Sequence, residues 1–294
     1  MSTLTNYLKN PDWEAGIYQL SSYEEYAAIP ALRSSELKLI GKTPAHYKAS
    51  KSYPKEITST QKKAFAKGKA FDMLVLDGQE RFVSSTVIEP DMSKNSKAYK
   101  KWAAHLPKDV TILTEQEFDF ALKMRDAVFN KKRFSDIFSN GTAHRVIVWQ
   151  DPSTGIWCKA EIDWIQPDGT IVDLKSTASA DFWFFQRNAR RLNYPHQGAF
   201  YLSGLTVLTG QLHERFMLAA VETDPPFESH IFNVGPDMLI KAQVDNENRI
   251  ETLAKCFETD EWPGYPDEII DLDSGQYLYD DEYEIYNDEI MEGF

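Results

Sequence analysis

Residues 145–174 contain RVIVWQ (145–150), DPSTG (151–155), IWCKAEIDW (156–164), PDG (167–169) and TIVDL (170–174). The first block is a β-branched run, the third alternates polar and apolar side chains, and the last is apolar up to Asp173. Runs of this kind read as strands. The two short blocks between them combine Pro, Asp and Gly, which favour tight turns. The spacing therefore predicts three consecutive antiparallel strands, a β-meander, at the centre of the chain.

On either side the period changes to that of helices. Thr114 and Glu117 stand three apart as a capping box, ahead of a stripe of Phe118, Ala121, Leu122, Val128 and Phe129. Residues 61–77 read as a helix offering Phe65, Met73, Leu74 and Leu76 for burial. A short helix is expected over Ser35–Ile40, then a loop containing Pro44 and Pro54. Residues 84–113 are polar and are expected to form a loop with a short helix. After the meander come helices near 180–192 and 195–204, then strands over Arg215–Val221 and Ser229–Val234. Pro236 opens a last helix carrying Leu239, Ile240, Ile250, Leu253 and Phe257. The fold class expected is α/β (α+β): a central mixed sheet with an antiparallel meander, flanked by helices.

The 294 residues, 42% hydrophobic and 13% aromatic, suffice for a sizeable core. No apolar run is long enough to span a bilayer, so no membrane partner is expected. The opening MSTLTNYLKNPDWEAG lacks a charged-then-apolar export pattern. With only Cys158 and Cys256, the chain reads as reduced and cytoplasmic. The net charge of −13 is unevenly placed: after Lys255 there are fourteen acids and no Lys or Arg, leaving 31 acids against 32 bases in residues 1–255. Within that body, residues 38–69 hold nine lysines and one acid, Glu56, a field that attracts a polyanion. The acidic tail repels DNA. It suits either a polyanion mimic lying in a basic channel or a peptide captured by a basic partner.

The meander places acids where a strand should be apolar. Glu161 and Asp163 share one face of the second strand, and Asp173 and Lys175 share one face of the third. The short turn between them brings Asp163 and Asp173 together. Two adjacent carboxylates repel unless a cation sits between them. A hard divalent metal, Mg²⁺ or alternatively Mn²⁺, resolves this, and Lys175 is placed to orient water or offset developing negative charge. That combination suits phosphodiester hydrolysis.

The chain also resembles the PD-(D/E)XK nuclease superfamily, and within it the nuclease domain of the RecE (exonuclease VIII) family. The matching stretches, in order, are SSELKLIGKTPAHYKAS (34–50), GKAFDMLVLDG (68–78), DPSTGIWCKAEIDWI (151–165), IVDLKSTASADF (171–182), YPHQGAFYLSGL (194–205) and TDEWP (259–263). The resemblance spans residues 22–263, leaving 1–21 as an N-terminal extension and 264–294 as an acidic, flexible tail. It implies Asp163 and Asp173 as metal ligands and Lys175 as the catalytic lysine. Gln197 and Tyr201 match the family's Q-x-x-x-Y element and would share a helix face over the site. Two positions depart from the pattern: Asp72 stands where the family has His, and His144 where it has Glu. If both point into one site, ligand types have been exchanged between positions, and Asp72 and His144 join the metal set. The activity implied is 5′→3′ exonuclease action on double-stranded DNA ends, leaving 3′ single strands for recombination. The implied partners are an annealing protein or recombinase, with a ring-shaped homo-oligomer as the working form. A catalytically inactive DNA- or partner-binding module is the rival class. Of the remaining residues, His196 reads first as an ordinary satisfied polar residue and second as one that approaches the site, while Arg187, Arg190 and Arg191, near Trp183-Phe184-Phe185, could bind phosphate and stack on bases, the aromatics suiting a core equally well.

Overall fold

The computed structural model describes residues 13–20, 22–53, 58–107 and 110–270. In chain order the elements are β1 (Gly16–Tyr18), α1 (Tyr23–Ala28), α2 (Ser34–Lys42), α3 (Pro44–Ser52), α4 (Ser59–Asp72), a π-helical turn (Met73–Asp77), α5 (Gln79–Ser85), β2 (Thr86–Ile88), α6 (Lys97–Ala104), β3 (Thr111–Leu113), α7 (Glu115–Phe129) and α8 (Lys132–Ser139). They continue with β4 (Thr142–Gln150), β5 (Trp157–Ile165), β6 (Ile171–Thr177), α9 (Phe182–Arg191), α10 (Tyr194–Thr209), β7 (Phe216–Glu222), β8 (Ser229–Asn233) and α11 (Pro236–Thr259).

Six strands form one mixed sheet in the order β1-β4-β5-β6-β7-β8. Every pairing is antiparallel except β6–β7, and α9 with α10 supplies the crossover that a parallel pair needs. The predicted meander is β4-β5-β6. Side chains of β7 alternate between two cores. Phe216, Leu218 and Ala220 join Leu37 and Ile40 of α2, Phe200 and Leu205 of α10 and Leu253 of α11. Ala219 and Val221 join Phe71 of α4, Met124 and Val128 of α7 and Phe134 of α8. The sheet is thus a middle layer with helices on both faces, and the expected fold class stands. β2 and β3 form a separate two-stranded parallel pair.

The sheet is nearly divided. β4 and β5 pair along eight positions, and β6 and β7 along seven. β5 and β6 pair at only two, Trp164↔Val172 and Ile165↔Ile171. Beyond that point β5 turns to another partner: Leu32 forms a parallel bridge with Cys158, and Lys159 N–H donates to Leu32 O at 2.8 Å. A fork therefore opens between β5 and β6. Helix α10 spans it from behind. A Cβ on Gly198 would overlap the Phe216 ring of β7, and one on Gly204 would lie 2.8 Å from Ile147 and Trp149 of β4. Two glycines thus let one helix press against both halves.

Several expectations are corrected. α3 occupies the stretch read as a loop, because Pro44 sits in its first turn, where a missing N–H costs nothing, and Thr43 caps it by accepting from His46 N–H. Residues 84–113 hold α6, β2 and β3. The third strand, read over residues 170–174, runs on through Ser176-Thr177, because both pair with β7. Ahead of residue 22, Gly16–Tyr18 adds a short edge strand to the sheet by pairing with Val146–Val148. At the other end, residues after α11 fold back over α3. Trp262 stacks on Tyr47 at 5.9 Å, Asp260 pairs with Lys48 at 3.2 Å, and Ala45 N–H donates to Pro263 O at 3.1 Å. The acidic tail from residue 271 lies outside the described residues. Among the described residues, no helix is long and apolar enough to cross a membrane.

Candidate active site

The next step of the β5–β6 register would set Asp163 against Asp173. The backbone ladder has already ended there, and the Asp163 carboxylate completes it instead, Oδ2 accepting from Leu174 N–H at 2.8 Å. Asp163 is thereby fixed across the fork. Asp173 is 1% exposed, so its charge must be met by protein groups or a bound ion. Lys175 Nζ lies 2.5 Å from Asp173 Oδ2, and Gln197 Nε2 donates to Asp173 Oδ1 at 3.2 Å. The same Gln197 nitrogen is 2.8 Å from the Tyr201 hydroxyl. Gln197 and Tyr201 thus lie over the acids from α10, as their spacing led one to expect.

Asp72 ends α4 on the opposite side of the sheet from α10. Burial lifts its carboxyl to about 7; Lys175 pulls the other way, while Asp173 adds repulsion. Asp163 is also raised well above the usual carboxylate range, first by burial and then by Asp173 and Asp72. Burial would lower Lys175, but facing Asp173 and its neighbours outweighs that and holds the ammonium charged. One cation therefore faces three crowded carboxyls.

His144 lies where the fork begins. It is opposite Asp163 in the β4–β5 register, with φ of 48°, a strained backbone for any residue but glycine. The strand changes face there: Cys158, Ala160 and Ile162 pack in the core with α10, whereas Trp164 packs in the core with α7 and α8. The imidazole does not sit between Asp163 and Asp173. Its Nε2 is 3.4 Å from Asp77 Oδ1, and that contact raises its pKa, with Glu161 and Asp72 adding to the effect. The π-helical turn explains the arrangement. It closes by Gly78 N–H donating to Met73 O, and the wider turn brings Asp72 and Asp77 to the same side. Asp72 thus reaches the carboxylate pair, whereas His144 is held at its margin by Asp77.

Other candidates fall elsewhere. His196 points away from the site, with Nε2 at 3.2 Å from Asp245 Oδ2 on α11. Of the aromatics before the arginines, Phe185 is core and Trp183 is exposed. Sequence reasoning missed Asp77 and Tyr194. The Tyr194 ring lies under Lys175 Nζ at 4.6 Å and is 5% exposed. Its signal was present: Tyr194, Gln197 and Tyr201 are spaced i, i+3, i+7, one stripe of a helix.

The donor set suits a hard divalent cation, because the buried ligands are carboxylate oxygens that outnumber the nearby ammonium. Among the described residues no group of three or more His, Cys, Asp or Glu side chains is arranged to hold an ion alone. Two carboxylates completed by water and phosphate oxygens are the usual seat of Mg²⁺.

A layered sheet with this fork and this acid–lysine set is a PD-(D/E)XK-like architecture. The chain belongs to the PDDEXK-like domain of unknown function family, DUF3799, which it matches over residues 33–272. A crystal structure from Eubacterium rectale, described as a candidate exonuclease, superposes with a TM-score of 0.59 and 17% identity, covering 90% of this chain and all of that one. It is similar in fold. The crystal structure of SSO0001 aligns over 63% of this chain and 84% of its own, at 12% identity and a TM-score of 0.26, too low to bear on the fold. No curated protein matches the sequence.

Proposed function

We propose that the chain is a metal-dependent deoxyribonuclease, with Asp163, Asp173 and Lys175 as its catalytic centre. The observation that carries this reading is the fork: two carboxylates and a lysine meet where the β5–β6 ladder ends, with Asp163 held by Leu174 N–H and Asp173 by Gln197. Asp163 and Asp173 would hold the ion, with Asp72 beside them; Mg²⁺ suits these donors and Mn²⁺ is acceptable. When bound, such an ion supplies an activated water and stabilises the leaving oxygen. Lys175 offsets negative charge gathering on the phosphorus-bound oxygens, where its low exposure strengthens the effect. Gln197 fixes Asp173, and Tyr194 fixes the direction of Lys175. His144 belongs to the site through Asp77 and enters the ion's surroundings only if that pair opens.

The finer reading is a 5′→3′ exonuclease on double-stranded DNA ends that leaves 3′ single strands for an annealing protein or recombinase. A ring-shaped homo-oligomer in the cytoplasm would be the working form. Its support is the resemblance to the RecE family; the E. rectale fold relative, described as a candidate exonuclease, supports only the exonuclease part of it. The test is digestion of duplexes labelled at either 5′ or 3′ ends, with Mg²⁺ or with EDTA, beside a covalently closed circle. Metal-dependent loss of linear duplex from its 5′ ends, with the circle spared, is expected. Cleavage of the circle would make it an endonuclease. DNA binding without cleavage in any divalent metal would make it the inactive binding module.

A further inference from the structure

Beside the β5–β6 turn lies a cavity of about 430 Å³, within the roughly 300–1,000 Å³ of small-ligand sites. Its walls are Ile17 of β1, Arg145 of β4, the turn at 166–169, and Leu205 and Thr209 of α10. Gln197, which holds Asp173, precedes Thr209 on the same helix by about 18 Å along its axis. The cavity is therefore separate from the candidate active site.

Arg145 reaches it because His144 interrupts the strand. Ala143 packs towards α7 and α8, and strict alternation would send Arg145 the same way. The residue between them, with φ of 48°, turns Arg145 to the α10 face instead, opposite Ile162 and on the same side as Ile147. A guanidinium thus stands among apolar side chains. Its Nη1 is sealed from solvent and has no hydrogen-bond partner among the described residues. Asp168, the one carboxylate on the cavity wall, is engaged elsewhere: it pairs with Arg215 at 3.2 Å and accepts from Thr170 N–H at 2.9 Å. A positive charge is left against the cavity without a counter-charge, a cost that a bound anion relieves. The wall is also preformed. The His213 ring lies so close to Gly169 that a Cβ there would overlap it, and His213 Nε2 is 2.9 Å from Thr209 Oγ1.

We propose that this cavity binds a nucleoside monophosphate, with its phosphate beside Arg145 and its base against Ile17, Ile165 and Leu205. The inference deepens the nuclease reading and rests on it for the choice of a nucleotide, since phosphodiester hydrolysis releases molecules of that class. The unmatched guanidinium assigns the anion. The rest of the wall, part aliphatic and part the neutral amides of Gln166 and Gln211, suits a flat, hydrogen-bonding body rather than a bare ion.

The test is equilibrium dialysis of the full chain in EDTA against dAMP, deoxyadenosine and inorganic phosphate. The native chain is expected to bind dAMP saturably and more tightly than either fragment. Arg145→Gln should weaken dAMP about tenfold to a hundredfold, as for one lost charge-assisted hydrogen bond, and leave deoxyadenosine within twofold. Gln211→Glu, at an exposed position that does not bear on folding, should also weaken dAMP by placing a carboxylate on the cavity wall. Asp173→Ala should bind dAMP as the native chain does. The inference is overturned if dAMP does not bind saturably, if inorganic phosphate binds as tightly, or if both Arg145→Gln and Gln211→Glu bind dAMP as the native chain does. Loss of dAMP binding in Asp173→Ala also overturns it, because the nucleotide would then sit at the fork. Cleavage of DNA by the native chain in Mg²⁺ is scored separately, so the nuclease reading can fail while the nucleotide site stands, or the reverse.

Discussion

Two lysines on neighbouring strands of the same sheet, Lys159 and Lys175, solve burial in opposite ways. Lys159 is 3% exposed and donates to the carbonyl oxygens of Tyr26 and Ile29, both at 2.7 Å, with Ala27 O at 3.4 Å and the Tyr26 ring at 4.6 Å. These dipoles satisfy its donors and tie the end of α1 to β5, but they supply no net charge. Burial accordingly lowers its pKa from 10.5 to about 8. Lys175 has few such dipoles and instead faces Asp173 and Asp163, which keep it charged. The first arrangement is complete in itself. The second leaves carboxylates in excess of the one cation, a condition that a ligand or metal can relieve. The difference separates a structural lysine from a reactive one where burial alone would not.

Removing the acids breaks the contrast most severely. Asp173→Ala or Asp163→Ala should reduce metal-dependent cleavage below detection while the fold persists; near-normal digestion by both would displace the site. Lys175→Ala should slow turnover by roughly 10²-fold, as for loss of one electrostatic stabiliser. Unchanged single-turnover cleavage with weakened binding would make it a phosphate anchor. Tyr194→Leu removes a cation–π contact of about 0.5–2 kcal/mol, so turnover should fall about twofold to thirtyfold, with Tyr194→Phe near normal. Equal losses in both variants would place the role in the hydroxyl. Lys159→Met should leave turnover unchanged but lower the melting temperature, because buried carbonyls lose their donor at about 1–3 kcal/mol each.

The acids and Lys159 also predict opposite pH dependence of stability. Asp72 has a folded pKa raised from 3.8 to about 7, so the folded state holds the proton more tightly, and metal-free stability should fall as pH rises through that window. Saturating Mg²⁺ should flatten the slope. Lys159 has a depressed folded pKa, so stability should rise from about pH 8 to 10.5, and this rise should vanish in Lys159→Met. Chemical denaturation across pH, with and without EDTA, reads both.

The meander was legible because its turns are chemically marked at 151–155 and 167–169, and its acids interrupt otherwise apolar strands. Asp163, Asp173 and Lys175 were legible for the same reason. β1 was not, since three residues carry too little pattern to reveal pairing with a strand more than a hundred positions away. The π-helical turn was hidden because Met73-Leu-Val-Leu-Asp77 reads as continued α-helix, so the grouping of Asp77 with His144 could not be foreseen. Trp183-Phe184-Phe185 shows the remaining limit: three adjacent aromatics look alike in sequence, yet helical geometry sends Phe185 inward and Trp183 outward.

The fork also governs how the protein can come apart. With only two residue pairs joining β5 to β6, the β1-β4-β5 and β6-β7-β8 halves form two blocks held together mainly by α10 and the core they share. In amide exchange, α10 and the seam residues Trp164, Ile165, Ile171 and Val172 would open only when the two blocks part, whereas either block could fray from its outer strand alone. The strand residues that make up the reactive centre lie on both sides of that seam. Every opening that separates the blocks pulls Asp163 away from Leu174 and Asp173, so amide exchange at the seam and loss of cleavage are expected to appear together.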